Sequence, residues 1–186
     1  MINLMNKKKN VAFIFARGGS KGIKDKNICL LNNKPLISYT IETAMSSKIF
    51  DDIVVSTDSK KIALIANSHG VEVNNLRPSS LASDDSPELL SWKYEIKRYQ
   101  EKYSFDNFYC LPCTSPLRSV EDIVNMGIFF NKNNYDLVLG ITESSKSPLF
   151  NMVEKKSDGS LKKIIDRGEN IARRQDSETF FDITTV

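Results

Sequence analysis

Runs of apolar residues and helical spacings take turns along this chain, and each change-over marks an element. Val11 to Phe15 is an unbroken apolar run, too short for a helix, that stops abruptly at the small and basic stretch ARGGSKGIKDKN. It reads as a buried strand feeding a loop. Leu36 to Ser47 follows Pro35 and carries Ile37, Ile41 and Ala44 at steps of four and three, which predicts a helix with proline at its start. Asp52 to Ser56 predicts a second strand. Thr57, Asp58 and Ser59 then offer N-cap side chains to a helix bearing Ile62, Ile65 and Ala66, and His69-Gly70 ends it. In that place His69 is a helix-end residue rather than a catalytic base, because a positive side chain suits the carboxyl end of a helix.

Val71 to Val73 predicts a short third strand. The polar stretch from Arg77 to Pro87 lacks periodicity, and a helix from about Glu88 follows, with Leu89, Trp92, Ile96, Tyr99 and Tyr103 recurring at steps of three and four. That spacing makes the aromatics core residues rather than a base-stacking platform. Asn107 to Leu111 predicts a strand and Ser119 a capped helix, with Glu121 and Asp122 in its first turn and Ile123, Gly127 and Phe130 facing inward. Tyr135 to Ile141 predicts the last strand of the alternating pattern. From Pro148 the apolar segments flank Ser157-Asp158-Gly159-Ser160, a hairpin signal.

Strands alternating with helices predict a mainly parallel α/β sheet covered on both faces, with ligands gathered at the carboxyl ends of the strands. The loop after the first strand, Thr57-Asp58 after the second, and Thr114 to Arg118 after the Asn107 run all fall on that rim.

With 186 residues and 40% hydrophobic composition the chain supports one sizeable core, so a single domain over residues 1–186 is expected, with a hairpin-containing projection at about 145–175. Its 26 basic and 23 acidic residues leave a net charge of +3, too mild for a general nucleic-acid binder, so any basic site is local. Lys7, Lys8 and Lys9 precede an apolar run that ends at Ala16 without a cleavage site. The expectation is a cytoplasmic protein with neither signal peptide nor membrane span. Cys29, Cys110 and Cys113 are too few for a disulfide framework. Cys110-Leu-Pro-Cys113 has the CxxC spacing of redox sites, yet it straddles a strand end with no helix start beside it, which favours a structural pair.

The chemistry concentrates in the first loop. Gly18, Gly19 and Gly22 let the backbone bend and bring N–H groups near an anion, while Arg17, Lys21, Lys24 and Lys26 supply positive charge, an arrangement suited to a polyphosphate. The spacing is that of neither a Walker loop nor a dinucleotide fingerprint, and on these residues alone a glycine-rich surface turn is the competing reading.

ARGGSKGIKDKN, taken with the later segments RPSSLASD, TSPLR and RRQD, closely resembles the acylneuraminate cytidylyltransferases, the CMP-sialic acid synthetase family, with the four segments in family order. The resemblance implies a Rossmann-like nucleotidyltransferase that transfers CMP from CTP to the anomeric hydroxyl of a 2-keto sugar acid and releases pyrophosphate. It implies Mg2+ (or Mn2+) as cofactor, CTP and a sugar acid as binding partners, and a homodimer in which the hairpin near 157–160 reaches a partner subunit. By position it places Arg17, Lys21 and Lys26 in catalysis, Lys26 foremost. Ala16, Arg17, Gly18, Gly19, Ser20, Lys21, Lys26, Asn27, Arg77, Ser83 and Asp84 fall on the nucleotide, Arg77 near its cytosine. Thr114, Ser115, Arg118 and Arg174 fall on the sugar acid, Arg174 toward its carboxylate.

Three departures refine the expectation. Pro112 and Cys113 stand where sialate members carry glutamine and proline, and Phe150 where they carry lysine, which favours a related nonulosonate such as legionaminate or pseudaminate, or another 2-keto sugar acid. The family's two magnesium-binding aspartates come after the strand that Phe181 to Val186 resembles; they are absent from this sequence, so the metal ligands stay unassigned, with Asp58 an available carboxylate that a helix N-cap explains equally well. Another sugar nucleotidyltransferase, acting on Kdo or a sugar 1-phosphate, is the enzymatic alternative. From a different class, a nucleotide-sugar-binding module without turnover is the other.

Overall fold

The computed structural model describes residues 8–20, 22–133, 135–166, 173 and 178–184. They fall into two compact units divided at Leu139; the second therefore begins before the hairpin segment at 145–175.

The first unit is built on β1 (Asn10–Phe15), which pairs in parallel with β4 (Asp52–Ser56) on one side and β5 (Asn107–Cys110) on the other. Val11 to Ile14 are wholly buried, as a central parallel strand requires, and the two faces of β1 carry different packing. Ala12 and Ile14 join Ile37, Ile41 and Ala44 of α1 (Leu36–Ser47), Ile62 and Ala66 of α2 (Lys60–Ser68), and Ile123 of α4 (Val120–Asn133) in one aliphatic core. Phe13 and Phe15 point the other way into an aromatic cluster. Phe13 lies 5.0 Å from Phe108 and 5.8 Å from Tyr99, and Phe15 lies 6.2 Å from Trp92, ring centroid to centroid. Trp92 and Tyr99 belong to α3 (Glu88–Gln100), so helices cover both faces of the sheet. A two-residue ladder, β2 (Leu30–Leu31) with β3 (Lys34–Pro35), leads into α1.

Two predicted strands do not form over their expected ranges. Val71 to Val73 is irregular because its backbone donors are already used: Val71 N–H donates to the Ala66 carbonyl and Val73 N–H to Asn67 Oδ1, both at the end of α2. Residues 137–140 are likewise irregular, and pairing starts only at β6 (Ile141–Glu143). The buried stripe of α3 also differs from its apolar spacing. Leu89 and Tyr103 are exposed, and the residues fully enclosed are Ser91 and Glu95. At α4 the expected cap is present, Ser119 N–H donating to Asp122 Oδ2 and Asp122 N–H to Ser119 Oγ.

The second unit holds two antiparallel ladders, β6 with β9 (Phe181–Ile183), and β7 (Val153–Lys155) with β8 (Leu161–Lys163). The β7–β8 hairpin turns where Ser157 to Ser160 predicts it, with Gly159 at φ 85° and Asp158 accepting from the Ser160 N–H and hydroxyl. Among the described residues no helix is long and apolar enough to cross a membrane.

Candidate active site

The carboxyl ends of β1, β4 and β5 carry the segments that shape the site. Ala16 is the last fully buried residue after β1, and its N–H continues the ladder to the Ser56 carbonyl at 2.9 Å. Beyond it the chain leaves the sheet and three bonds set its path. Gly18 N–H donates to Asp58 Oδ1 at 2.8 Å, Asn27 Nδ2 donates to the Arg17 carbonyl at 2.9 Å, and Gly19 adopts φ +66°, where a side chain is strained. Asp58 thus does not cap α2: Ser59 holds the N-cap position without a side-chain bond, and the carboxylate is turned onto the glycine loop.

This loop walls a cavity of about 590 Å³ through Arg17, Ser20, Gly22, Lys26 and Asn27. The α2–α3 connection contributes Arg77, Leu81, Ser83, Asp84 and Ser86, the first turns of α3 Glu88 and Ser91, and the segment after β5 Pro112, Cys113 and Thr114. An adjoining recess of about 470 Å³ takes in Gly18, Gly19, Asp25, Asp58, Lys60 and Lys61, and Arg17, Ser83 and Asp84 border both spaces. Arg17 spans to the opposite wall, its Nη2 on Asp84 Oδ1 at 2.8 Å and its Nη1 on the Ala82 carbonyl at 3.3 Å.

Arg77 is only 5% exposed. Its N–H donates to the Thr57 carbonyl at 2.7 Å and its Nη1 to Ser56 Oγ at 3.3 Å, while its Nε has no partner. Burial pulls its pKa below the ordinary guanidinium value, against the opposing fields of Asp58, Glu95 and Glu88. On the third wall Pro112 is fixed through its carbonyl, which accepts from Arg118 Nη2 at 2.7 Å. Burial pushes the Cys110 and Cys113 thiols up to about 12, with Arg118 pulling both the other way and Lys26 pulling Cys113. Both are free thiols carrying no activated thiolate, so this pair lacks the electrostatics of a redox CxxC.

The structure therefore gathers Arg17, Ser20, Lys26, Asn27, Arg77, Ser83, Asp84 and Thr114 around one cavity, with Gly18 and Gly19 in the recess beside it. Ala16 lies in the core beneath the loop. Ser115 and Arg118 do not line the cavity; Arg118 is buried behind Pro112. Lys21 and Arg174 lie outside the described residues. Sequence reasoning passed over Glu88 and Ser91, which line the cavity, and Glu95, buried against Ser56. The signal available was an acidic residue, Glu95, set between Trp92 and Tyr99 in an otherwise apolar helical stripe.

No three histidine, cysteine or acidic side chains converge to hold a metal ion among the described residues. Asp58 is engaged by Gly18 and Asp84 by Arg17. Among the described residues the site shows no preassembled carboxylate set for Mg2+ or Mn2+.

The family of cytidylyltransferases matches this chain over residues 11–184. Over 172 residues the chain is 37% identical to the post-translational flagellin modification protein B of Campylobacter coli, and 34% identical to the CMP-N,N'-diacetyllegionaminic acid synthase of Campylobacter jejuni. Each alignment covers 91% of this chain and 72% of the relative. Other curated relatives are spanned over only 27% to 59% of their length. Among solved structures, CMP:2-keto-3-deoxy-manno-octonic acid synthetase complexed with CTP is similar at a TM-score of 0.56 and 17% identity, over 72% of this chain and 50% of that one, a likeness of fold alone.

Proposed function

This chain belongs to the cytidylyltransferase family, and from that premise we propose that it transfers CMP from CTP to the anomeric hydroxyl of a sialic-acid-like 2-keto sugar acid. The observation that carries the proposal is the convergence of Arg17, Lys26 and Arg77 on one cavity at the carboxyl ends of a parallel sheet. In this reading the triphosphate lies along the glycine loop, with Arg17 and Lys26 as its counter-charges. The sugar acid approaches from the wall formed by Thr114. Its anomeric oxygen bonds to the α-phosphorus as the bond to the β-phosphate oxygen breaks, pyrophosphate leaves, and the hydroxyl proton passes to water. The chain's part is positioning and charge neutralisation: Asn27 and Asp58 hold the loop in shape, and the cations lower the repulsion met by the incoming oxygen.

Within the 2-keto sugar acids, Pro112, Cys113 and Phe150 favour a legionaminate- or pseudaminate-like acceptor. The name of the Campylobacter jejuni relative supports that choice. Mg2+, a homodimer and a cytoplasmic location complete the proposal. The exposed apolar side chains Val153 and Leu161 on the β7–β8 hairpin support an assembly, which light scattering tests; a strict monomer counts against it.

One observation favours a second reading, a nucleotide-sugar-binding module without turnover: the described carboxylates form no metal-ligand group. Pyrophosphate release from CTP and Mg2+ over a panel of 2-keto sugar acids separates the two. Release with one acid supports the transferase, and CTP binding without release under any acid supports the module.

A further inference from the structure

Glu95 sits in the middle of α3 and is 1% exposed. Enclosing a carboxylate is costly unless every lone pair is answered, and an apolar side chain of similar size would pack there more cheaply. Its two oxygens answer different groups. Oε2 lies 2.9 Å from Arg98 Nη2, one turn along the same helix, in an ion pair whose geometry makes no hydrogen bond. Oε1 turns to the sheet and accepts from Ser56 Oγ at 2.8 Å. Ser56 ends β4 and is as buried as Glu95, and its oxygen also lies 3.3 Å from Arg77 Nη1. A hydroxyl has one proton to give, and the guanidinium accepts nothing, so the polarity of the chain is fixed: Arg77 donates to Ser56, and Ser56 donates to Glu95.

We propose that Glu95 is a positioning residue for Arg77, holding the guanidinium in the cavity wall through the Ser56 hydroxyl so that its remaining N–H groups face the nucleotide. A simple helix-surface ion pair with Arg98 would engage one edge of the carboxylate and leave Ser56 out. Here the second edge is spent on a group whose other side-chain partner, among the described residues, is Arg77. The backbone agrees with this purpose, because the Arg77 N–H is tied to Thr57, the residue next to Ser56, so both ends of the arginine are anchored to the same strand terminus. Arg77 lines the cavity, and its Nε is a buried donor without a partner. A buried guanidinium held this rigidly has already lost its rotamer freedom before ligand arrives, which favours binding.

The inference rests on the reading of this cavity as the CTP site, and calorimetric titration of CTP into the full chain tests the two separately. Arg77→Ala, Ser56→Ala, Glu95→Gln and the Ser56→Ala/Arg77→Ala double variant are compared, each with its thermal midpoint. The expected result is CTP affinity weakened about tenfold or more in Arg77→Ala, as for loss of a charged hydrogen-bonding group, and several-fold in Ser56→Ala and Glu95→Gln. Ser56→Ala then adds nothing further once Arg77 is gone, a coupling that general destabilisation does not produce. Unchanged affinity in Arg77→Ala overturns the CTP reading itself. Weakened affinity in Arg77→Ala beside wild-type affinity in Ser56→Ala and Glu95→Gln overturns the positioning role alone, as does a Ser56→Ala effect that persists in the double variant. Ser56→Ala removes one oxygen only and serves where Glu95→Gln does not fold.

Discussion

Arg17 and Asp84 form an ion pair across the mouth of the candidate site, Nη2 to Oδ1 at 2.8 Å, with each side chain 35% exposed. The arginine expected to meet the triphosphate is thus held by a carboxylate on the facing segment, and a polyphosphate must displace it. Exposed pairs of this kind contribute about 0.2–1 kcal/mol. Asp84→Asn is therefore expected to tighten CTP binding at low salt, by up to about fivefold, as read by titration calorimetry. A large loss of affinity would instead place Asp84 in direct contact with the nucleotide.

Asp58 shapes the glycine loop through the Gly18 N–H. Asp58→Ala is expected to lower unfolding stability by about 1.5–3 kcal/mol, the range for losing a hydrogen bond to a charged group. CTP affinity should fall with it, and Asp58→Asn, which keeps an acceptor oxygen, should recover most of both. Denaturant titration and CTP binding on the two variants check this.

The buried thiols give a chemical test of the third wall. With their pKa pushed up to about 12 by burial, Cys110 and Cys113 stay protonated at ordinary pH. Brief iodoacetamide treatment of the native protein at about pH 8 should leave both unmodified, and both should react once the chain is denatured. A Cys110–Cys113 disulfide in the native protein would contradict the assignment.

The cap of α4 predicts a pH dependence. Hydrogen bonds from the Ser119 backbone and side chain hold the Asp122 carboxyl below the usual carboxylate range. Since the folded-state value is the depressed one, this contribution is fully present above the unfolded value of about 3.9 and fades as pH falls through the folded value. Asp122→Asn should thus lower the thermal midpoint at neutral pH and converge on the parent chain in strong acid. A constant difference across that range would count against the cap.

Local signals made the site's centre readable. Val11 to Phe15 had to be a buried strand, and the sudden change to glycines and cations after it announced the loop; Pro35 opened α1, and Ser157 to Ser160 announced the hairpin. What escaped was decided by partners distant in sequence. Val71 to Val73 has strand composition, but its donors are captured by the end of α2. Asp58 has the sequence position of a cap, yet a glycine 40 residues earlier takes its carboxylate. Glu95 stands out as an acid between Trp92 and Tyr99, but apolar spacing alone does not say that it is buried and answered by Ser56. Arg118 lies in a segment matched to the sugar acid, while its guanidinium turns inward to Pro112.

The account depends on the glycine loop receiving the triphosphate. A crystal structure with CTP bound tests that most directly. The predicted result is a triphosphate lying against Arg17, Ser20 and Lys26, with the Arg17–Asp84 pair opened. A triphosphate bound elsewhere, with Arg17 still on Asp84 and Lys26 facing solvent, would contradict it.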